Sequence, residues 1–166
     1  MSVLVTYGSK RGGTEGLAHM VADCLRAEGH AVDVFPARQV KKIGDYDAVV
    51  VGGALYAFRW HRDAKRLVKR HAAQLQELPT FFFSSGPLDD SAAQGDIPPV
   101  KGVQALMDRV GAMGHATFGG RLTADAKGFP ASAMAKKHTG DWRDPDQVQA
   151  WAHEIDAELR SKALSG

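Results

Sequence analysis

Short apolar runs alternate along the chain with longer amphipathic segments. Runs of strand length occupy residues 3–6, 31–35, 48–53, 79–84 and 116–120. The third is uninterrupted, which is typical of a central strand that is buried on both faces. The pattern therefore predicts five strands, each reached from the one before by a longer connection.

The segments between the strands show the 3.6-residue period of helices. In the first of them, Leu17, Met20, Val21, Cys24 and Leu25 recur at i, i+3, i+4, i+7 and i+8. A glycine at position 29 would end this helix as a C′ residue. We predict helices over residues 14–28, 61–75, 100–113 and 145–159, whereas residues 121–140 show no clear pattern.

Strands that alternate with helices indicate an α/β fold with a parallel sheet covered on both faces. We expect one domain over residues 1–166, a three-layer sandwich with a five-stranded parallel sheet in the order 2-1-3-4-5. Ligands of such sheets bind beyond the carboxyl ends of the strands, where the strand order reverses. This rule predicts a site built by the loops at residues 8–14, 53–61 and 85–97.

The first of these loops is glycine-rich and leads into a helix, an arrangement that binds anions. A nucleotide triphosphate loop is excluded because Thr14 stands where its lysine is required. A dinucleotide site needs glycine where Lys10 stands and an acid after strand two, where residues 36–38 have none. Phospho-receiver domains need acidic residues where residues 7–8 and 54–55 are uncharged.

One further pattern fits the loop. Residues 7–14, YGSKRGGT, resemble the flavodoxin phosphate loop, S/T-x-x-G-x-T after strand one. The resemblance implies that Ser9 and Thr14 supply hydroxyls to the phosphate of FMN and that Gly12 lets the backbone approach it. The alternative is a plain strand–helix turn in which the hydroxyls only cap. The predicted phosphate-binding residues are Ser9, Lys10, Arg11, Gly12, Gly13 and Thr14.

Aromatic side chains after strand three suit the flavin ring. Tyr56 is the best candidate for ring contact, whereas Phe58 and Trp60 fit either the ring or packing beneath the next helix. His61 most simply begins that helix, and proton transfer is its alternative role. Small residues after strand four suit the pyrimidine edge of the ring. The predicted ring-binding residues are Ala54, Leu55, Tyr56, Ser85, Gly86 and Pro87.

Longer segments resemble the menaquinone-dependent protoporphyrinogen oxidase branch of the flavodoxin superfamily. They are residues 46–53 (YDAVVVGG), 60–62 (WHR), 68–71 (VKRH) and 141–144 (DWRD). Members of that branch bind FMN, oxidise protoporphyrinogen and pass electrons to a quinone. The resemblance implies a flavodoxin-like, FMN-dependent oxidoreductase. The sequence departs from the branch at residues 121–140, where members carry a long basic, aromatic insertion.

The net charge favours one of the two leading functions, the oxidoreductase, over the other, an electron carrier. A flavodoxin-type one-electron carrier, the alternative, docks through an acidic face, but this chain has 21 basic and 19 acidic side chains and a net charge of +2. The same balance argues against a nucleic-acid partner. A third interpretation, a flavin-free binding module, would leave the glycine-hydroxyl loop without a role. The expected partner is a redox protein or a small-molecule or quinone substrate.

The remaining sequence features concern cellular context. Cys24 is the only cysteine, which favours a structural thiol in a cytoplasmic protein. We recognise no signal peptide, membrane-spanning segment or metal site, and the predicted quinone chemistry leaves room for peripheral membrane contact.

Overall fold

Five parallel strands form the main sheet of the computed structural model, in the order β2-β1-β3-β5-β6 with β4 paired antiparallel to β3. The predicted strand order is confirmed, since β4 is a short addition. A separate antiparallel pair joins β7 and β8. The strands are β1 (Ser2–Gly8), β2 (Ala31–Pro36), β3 (Ala48–Tyr56), β4 (Arg59–Trp60), β5 (Thr80–Ser85), β6 (Gly114–Phe118), β7 (Arg121–Leu122) and β8 (Gly140–Asp141).

The structure describes residues 1–9, 13–86, 97–119, 121–122, 140–141 and 143–165. The helices within these ranges are α1 (Gly13–Ala27), α2 (Arg62–Arg70), α3 (Ala72–Leu75), α4 (Lys101–Val110) and α5 (Pro145–Ser165), with a 3-10 turn at Ala37–Gln39.

Three of the predicted helices differ from the structure by more than one residue. The helix predicted over residues 100–113 ends at Val110, before Gly111. The single helix predicted over residues 61–75 is wrong, because it breaks at His71 into α2 and α3. The last helix runs six residues beyond its predicted end at residue 159, to Ser165. No helix among the described residues is long and apolar enough to span a bilayer.

Alternation along the strands builds two cores, one on each face of the sheet. Val3 and Val5 of β1 face α1 and α5, whereas Leu4 between them faces α2 and α4. On β5, Phe83 likewise lies on the α1–α5 side and Phe82 on the other. All five side chains are fully buried. The sheet is therefore the middle layer of a three-layer sandwich, as predicted.

A buried carboxylate joins the two helices of one face. Asp156 on α5 is 4% exposed and lies 2.7 Å from His30 Nε2. Arg160 Nε donates to both of its oxygens at 2.9 Å, and the same guanidinium donates to the Glu28 carbonyl at the end of α1. Burial opposes ionisation, but these hydrogen bonds outweigh it and hold the pKa of Asp156 below its usual value.

Candidate functional site

The carboxyl ends of three strands meet at one edge of the sheet. Gly8 at the end of β1 is paired with Gly53 of β3, and Gly53 is paired with Ser84 of β5. The strand order reverses between β1 and β3, since β2 lies on one side of β1 and the later strands lie beyond β3. This edge is the switch point at which the sequence predicted the site.

Two hydroxyl groups from distant parts of the chain meet at this edge. Thr14 Oγ1, at the second residue of α1, lies 2.6 Å from Ser85 Oγ, at the last residue of β5. Thr14 is 1% exposed and Ser85 is 5% exposed. Their mutual bond uses only one of the two O–H protons, so the other can be donated to an oxyanion. The helix N-terminus adds a partial positive charge at the same place.

Gly86, the residue that follows β5, is bonded to β6 and lies close to β3. The Gly86 N–H donates to the Phe118 carbonyl at 3.2 Å. A Cβ at Gly86 would lie 3.1 Å from Leu55 Cβ. Leu55 and Gly86, both predicted ring-binding residues, are therefore neighbours at the site.

His61 fixes the start of α2 beside the end of β1. Its Nδ1 accepts a hydrogen bond from the Asp63 N–H at 3.1 Å, so the neutral ring carries its proton on Nε2. A Cβ at Gly8 would lie 2.7 Å from the Ala64 nitrogen and 3.1 Å from His61 Nδ1, which only glycine avoids. The half-buried Tyr56 ring meets the His61 ring edge-on, with centroids 6.0 Å apart.

The segment predicted as a loop at residues 53–61 is instead the end of β3 and a tight hairpin. Tyr56 pairs with Arg59 across a two-residue turn, and both turn residues have positive φ, 50° at Ala57 and 62° at Phe58. Such turns favour Asn-Gly, and side chains other than glycine cost about 1–2 kcal/mol each there. The turn leaves Phe58 84% exposed.

A polar chain lies behind the hairpin. Trp60 Nε1 donates to Ser84 Oγ at 3.0 Å, and Ser84 Oγ lies 3.0 Å from His115 Nε2. Burial lowers the pKa of His115 to about 4, so its ring is neutral at pH 7. Trp60 is 3% exposed and packs on Phe82, and a Cβ at Gly53 would lie 2.6 Å from its ring. Trp60 therefore takes the packing role, whereas Phe58 is not in the core.

The predicted site residues that the structure describes all lie at this edge. Gly13, Thr14, Ala54 and Ser85 are buried, whereas Ser9, Leu55, Tyr56 and Gly86 are half-buried. Four further predicted residues lie outside the described ranges, namely Lys10, Arg11, Gly12 and Pro87.

Arg143, which the sequence analysis did not single out, lies at the start of α1. Its guanidinium packs against Gly16 in the first turn of α1, where a Cβ would overlap it. The Arg143 guanidinium therefore lies next to the first turn of α1. The only sequence signal for Arg143 is the DWRD segment at residues 141–144. That segment carries a family resemblance, but the resemblance gives Arg143 no role.

Comparisons with known proteins agree with this geometry. A family model described as "Flavodoxin domain" matches residues 4–138. Protoporphyrinogen IX dehydrogenase (quinone) of Escherichia coli strain K12 is 28% identical over 86 residues, which are 51% of this chain and 48% of that protein. The chain thus spans about half the length of the curated relative that it matches.

Solved structures share the fold at low sequence identity. Rubredoxin oxygen:oxidoreductase of Desulfovibrio gigas superposes with a TM-score of 0.67 at 16% identity, covering 98% of this chain but 37% of that one. A flavodoxin from the domain Archaea gives 0.63 at 14% identity, covering 96% and 99%. Flavodoxin 1 from Bacillus cereus gives 0.59 at 14% identity, covering 93% and 97%.

Proposed function

Because the chain belongs to the flavodoxin domain family, whose cofactor is FMN, we propose that it is an FMN-dependent oxidoreductase of the protoporphyrinogen oxidase-related type. The observation that carries the proposal is the buried pair of Thr14 and Ser85, which brings two hydroxyls to the N-terminus of α1. A hydroxyl pair at a helix start suits a phosphate monoester that carries no metal.

Thr14 would hold the phosphate end of FMN, as the sequence predicted. Ser85, which the sequence analysis placed at the ring, would join it there because its hydroxyl bonds to that of Thr14. Gly13 at the start of α1 and Ser9 at the end of β1 adjoin them in the chain, and Lys10, Arg11 and Gly12 complete the proposed loop. The residues present suit the group, because backbone N–H groups and hydroxyls donate hydrogen bonds while the helix dipole favours the negative charge.

The β3–β4 hairpin and the start of the loop after β5 would border the flavin ring. Tyr56 offers a half-buried aromatic face, and Leu55, its neighbour in the chain, lies close to Gly86. Ala54 and Pro87 are the other proposed neighbours. When it is bound, FMN supplies the redox chemistry, and the task of these residues is to hold the ring and exclude water.

The substrate class rests on the resemblance and on charge. The relative from Escherichia coli is named for protoporphyrinogen IX and a quinone, and porphyrinogens carry carboxylates. Arg59, directly opposite Tyr56, and Arg62 are exposed cations next to the proposed ring site. They favour an anionic substrate and oppose the acidic docking face of a flavodoxin-type carrier.

The test is an anaerobic assay of the FMN-loaded protein with protoporphyrinogen IX and the soluble quinone menadione, followed by porphyrin fluorescence. We expect porphyrin formation well above that of the same protein without flavin. A flavin-loaded protein that forms no porphyrin, and whose potentiometric titration shows two separate one-electron steps, would instead be an electron carrier.

A further inference from the structure

Basic side chains are concentrated on one face of the molecule. Residues 59–70 contain six basic side chains and one acidic side chain, and residues 37–42 contain three basic side chains and no acidic one. The two segments are neighbours, because Ala37 and Val40 pack in the same core as Leu67 on α2. We call their exposed surface the basic face.

The basic face differs in sign from the rest of the chain. Its two segments contain nine of the 21 basic side chains and one of the 19 acidic side chains. The other residues therefore have twelve basic and eighteen acidic side chains. The face thus carries a formal charge of +8 and the remainder −6, although the whole chain is at +2. Such a separation of charge orients a partner during diffusional encounter.

Among the described residues, one carboxylate neutralises part of this charge. Asp63 forms both ion pairs that lie within the two segments, with Arg62 Nε at 4.0 Å and with Nδ1 of the buried His61 at 3.8 Å, and the second is an ion pair only when His61 is protonated. Arg66, Lys69 and Arg70 are exposed on α2 and make no ion pair with any described carboxylate.

The spacing of these cations opposes helix stability. Arg62 and Arg66, Arg66 and Arg70, and Lys65 and Lys69 are i,i+4 pairs of like charge, and such pairs destabilise a helix. Arg62 also stands in the first turn of α2, where the helix dipole disfavours a cation, whereas Lys69 and Arg70 in the last turn are placed as the dipole favours. Local preferences that oppose the fold are expected at functional surfaces.

The basic face begins at the proposed FMN site. Arg59 is paired with Tyr56, and α2 starts two residues after Trp60. At the edge of the face, the strained turn presents Phe58 almost fully to solvent. An exposed aromatic ring among arginines is the composition of protein-interface hot spots.

The same features favour a protein over a membrane as the partner. The apolar side of α2, formed by Ala64, Leu67 and Val68, is buried in the core, so this helix has no apolar stripe to insert into lipid. Near the two segments, the large apolar side chains that the structure describes as exposed are Phe58 (84%) and Phe35 on β2 (43%), and these two would remain for insertion.

We propose that the basic face docks a small acidic electron-carrier protein, which is the acceptor for the FMN site. The proposal rests on the proposed function and names its partner class. Each oxidised carrier would take one electron, so two successive encounters remove the two electrons of the reduced flavin, and its two protons pass to solvent.

The test compares two variants with matched charge change. Arg66→Glu lies on the basic face, and Lys162→Glu lies on α5 on the opposite side of the sheet. Each FMN-loaded protein is reduced and mixed by stopped flow with oxidised plant plastocyanin, an acidic one-electron acceptor, at low and high salt. The matched basic acceptor is cytochrome c.

We expect R66E to slow the reaction with plastocyanin about fivefold at low salt, whereas K162E changes it less than about twofold, and high salt removes the difference. With cytochrome c, R66E should accelerate the reaction. Equal rates of the two variants with plastocyanin would overturn the proposal. So would loss, in R66E alone, of sedimentation with phosphatidylserine vesicles while the plastocyanin rate is unchanged, since the face would then bind membrane.

A failure of the proposed function is distinguishable. If the protein holds no flavin, its association with oxidised plastocyanin is measured directly by titration calorimetry. Weakening of that association in R66E but not in K162E would still support the docking surface, and no difference would overturn it.

Discussion

The two sides of the sheet use charged side chains in opposite ways. On the side of α1 and α5, Asp156 is buried between His30 and Arg160, and His153 lies 2.9 Å from Glu28. On the side of α2, most of the cations between residues 59 and 70 have no carboxylate partner among the described residues. The charged side chains named on the first side form ion pairs, whereas those on the side of α2 are mostly unpaired cations.

The paired charges on the side of α1 and α5 stabilise the fold, whereas the unpaired cations on the side of α2 are available to bind a partner. A buried carboxylate with two partners costs several kcal/mol if one partner is lost. Repulsion between exposed cations in i,i+4 pairs instead makes the helix slightly less stable. The two sides can therefore be told apart by the effect of removing a charge on stability.

The largest expected effect comes from breaking the paired side. Asp156→Ala should lower the free energy of unfolding by about 3 kcal/mol, because His30 and Arg160 lose their common partner. Urea unfolding measures it. The control is Asp23→Ala, which removes an exposed pair with Arg26 and should cost less than about 1 kcal/mol. Equal losses in the two variants would contradict the role given to the buried carboxylate.

A second effect concerns His115, which is half-buried on the Trp60 side and has no charged partner among the described residues. Its pKa of about 4 lies below the ordinary value of 6.5, so the unfolded chain binds a proton more readily between these pH values. This contribution to stability is complete above pH 6.5 and is lost as the pH falls toward 4, by about 1–3 kcal/mol.

Urea unfolding from pH 7.5 to 4 checks this expectation. His115→Gln should flatten the decline in stability, whereas His19→Gln, at an exposed position on α1, should leave it as in the parent protein. A decline that His115→Gln does not change would assign the pH dependence to other groups.

The smallest effect tests the unpaired side. Arg66→Gln should raise the free energy of unfolding by about 0.5 kcal/mol, because it removes repulsion from Arg62 and Arg70. High salt should abolish the gain, since exposed charges are screened. If Arg66→Gln is instead less stable than the parent protein in low salt, Arg66 stabilises the fold, and the contrast between the two sides is contradicted.

Much of the fold could be predicted from local pattern. The run at residues 48–51 has to be a central strand, and strand–helix alternation then leaves few topologies. The meeting of Thr14 with Ser85 has no local signal, since the two are 71 residues apart. The topology nevertheless places both residues at the carboxyl ends of the strands, so their meeting at that edge of the sheet was predictable.

What was missed has physical reasons. Ala57 and Phe58 carry none of the Asn-Gly chemistry of a two-residue turn, so the hairpin was read as a loop. No glycine or proline marks the break at His71. The net charge also concealed the basic face, because the total of +2 is the sum of +8 on that face and −6 on the other residues.

The most direct test of the central claim is a titration of the flavin-free protein and of Thr14→Val with FMN and with riboflavin, followed by flavin fluorescence. If the Thr14–Ser85 edge grips the phosphate, the parent protein should bind FMN far more tightly than riboflavin. Thr14→Val should then weaken FMN about tenfold to 100-fold, as expected for a hydrogen bond to a charged group, and leave riboflavin unchanged. Equal affinity for the two flavins, or equal losses in the variant, would contradict the account.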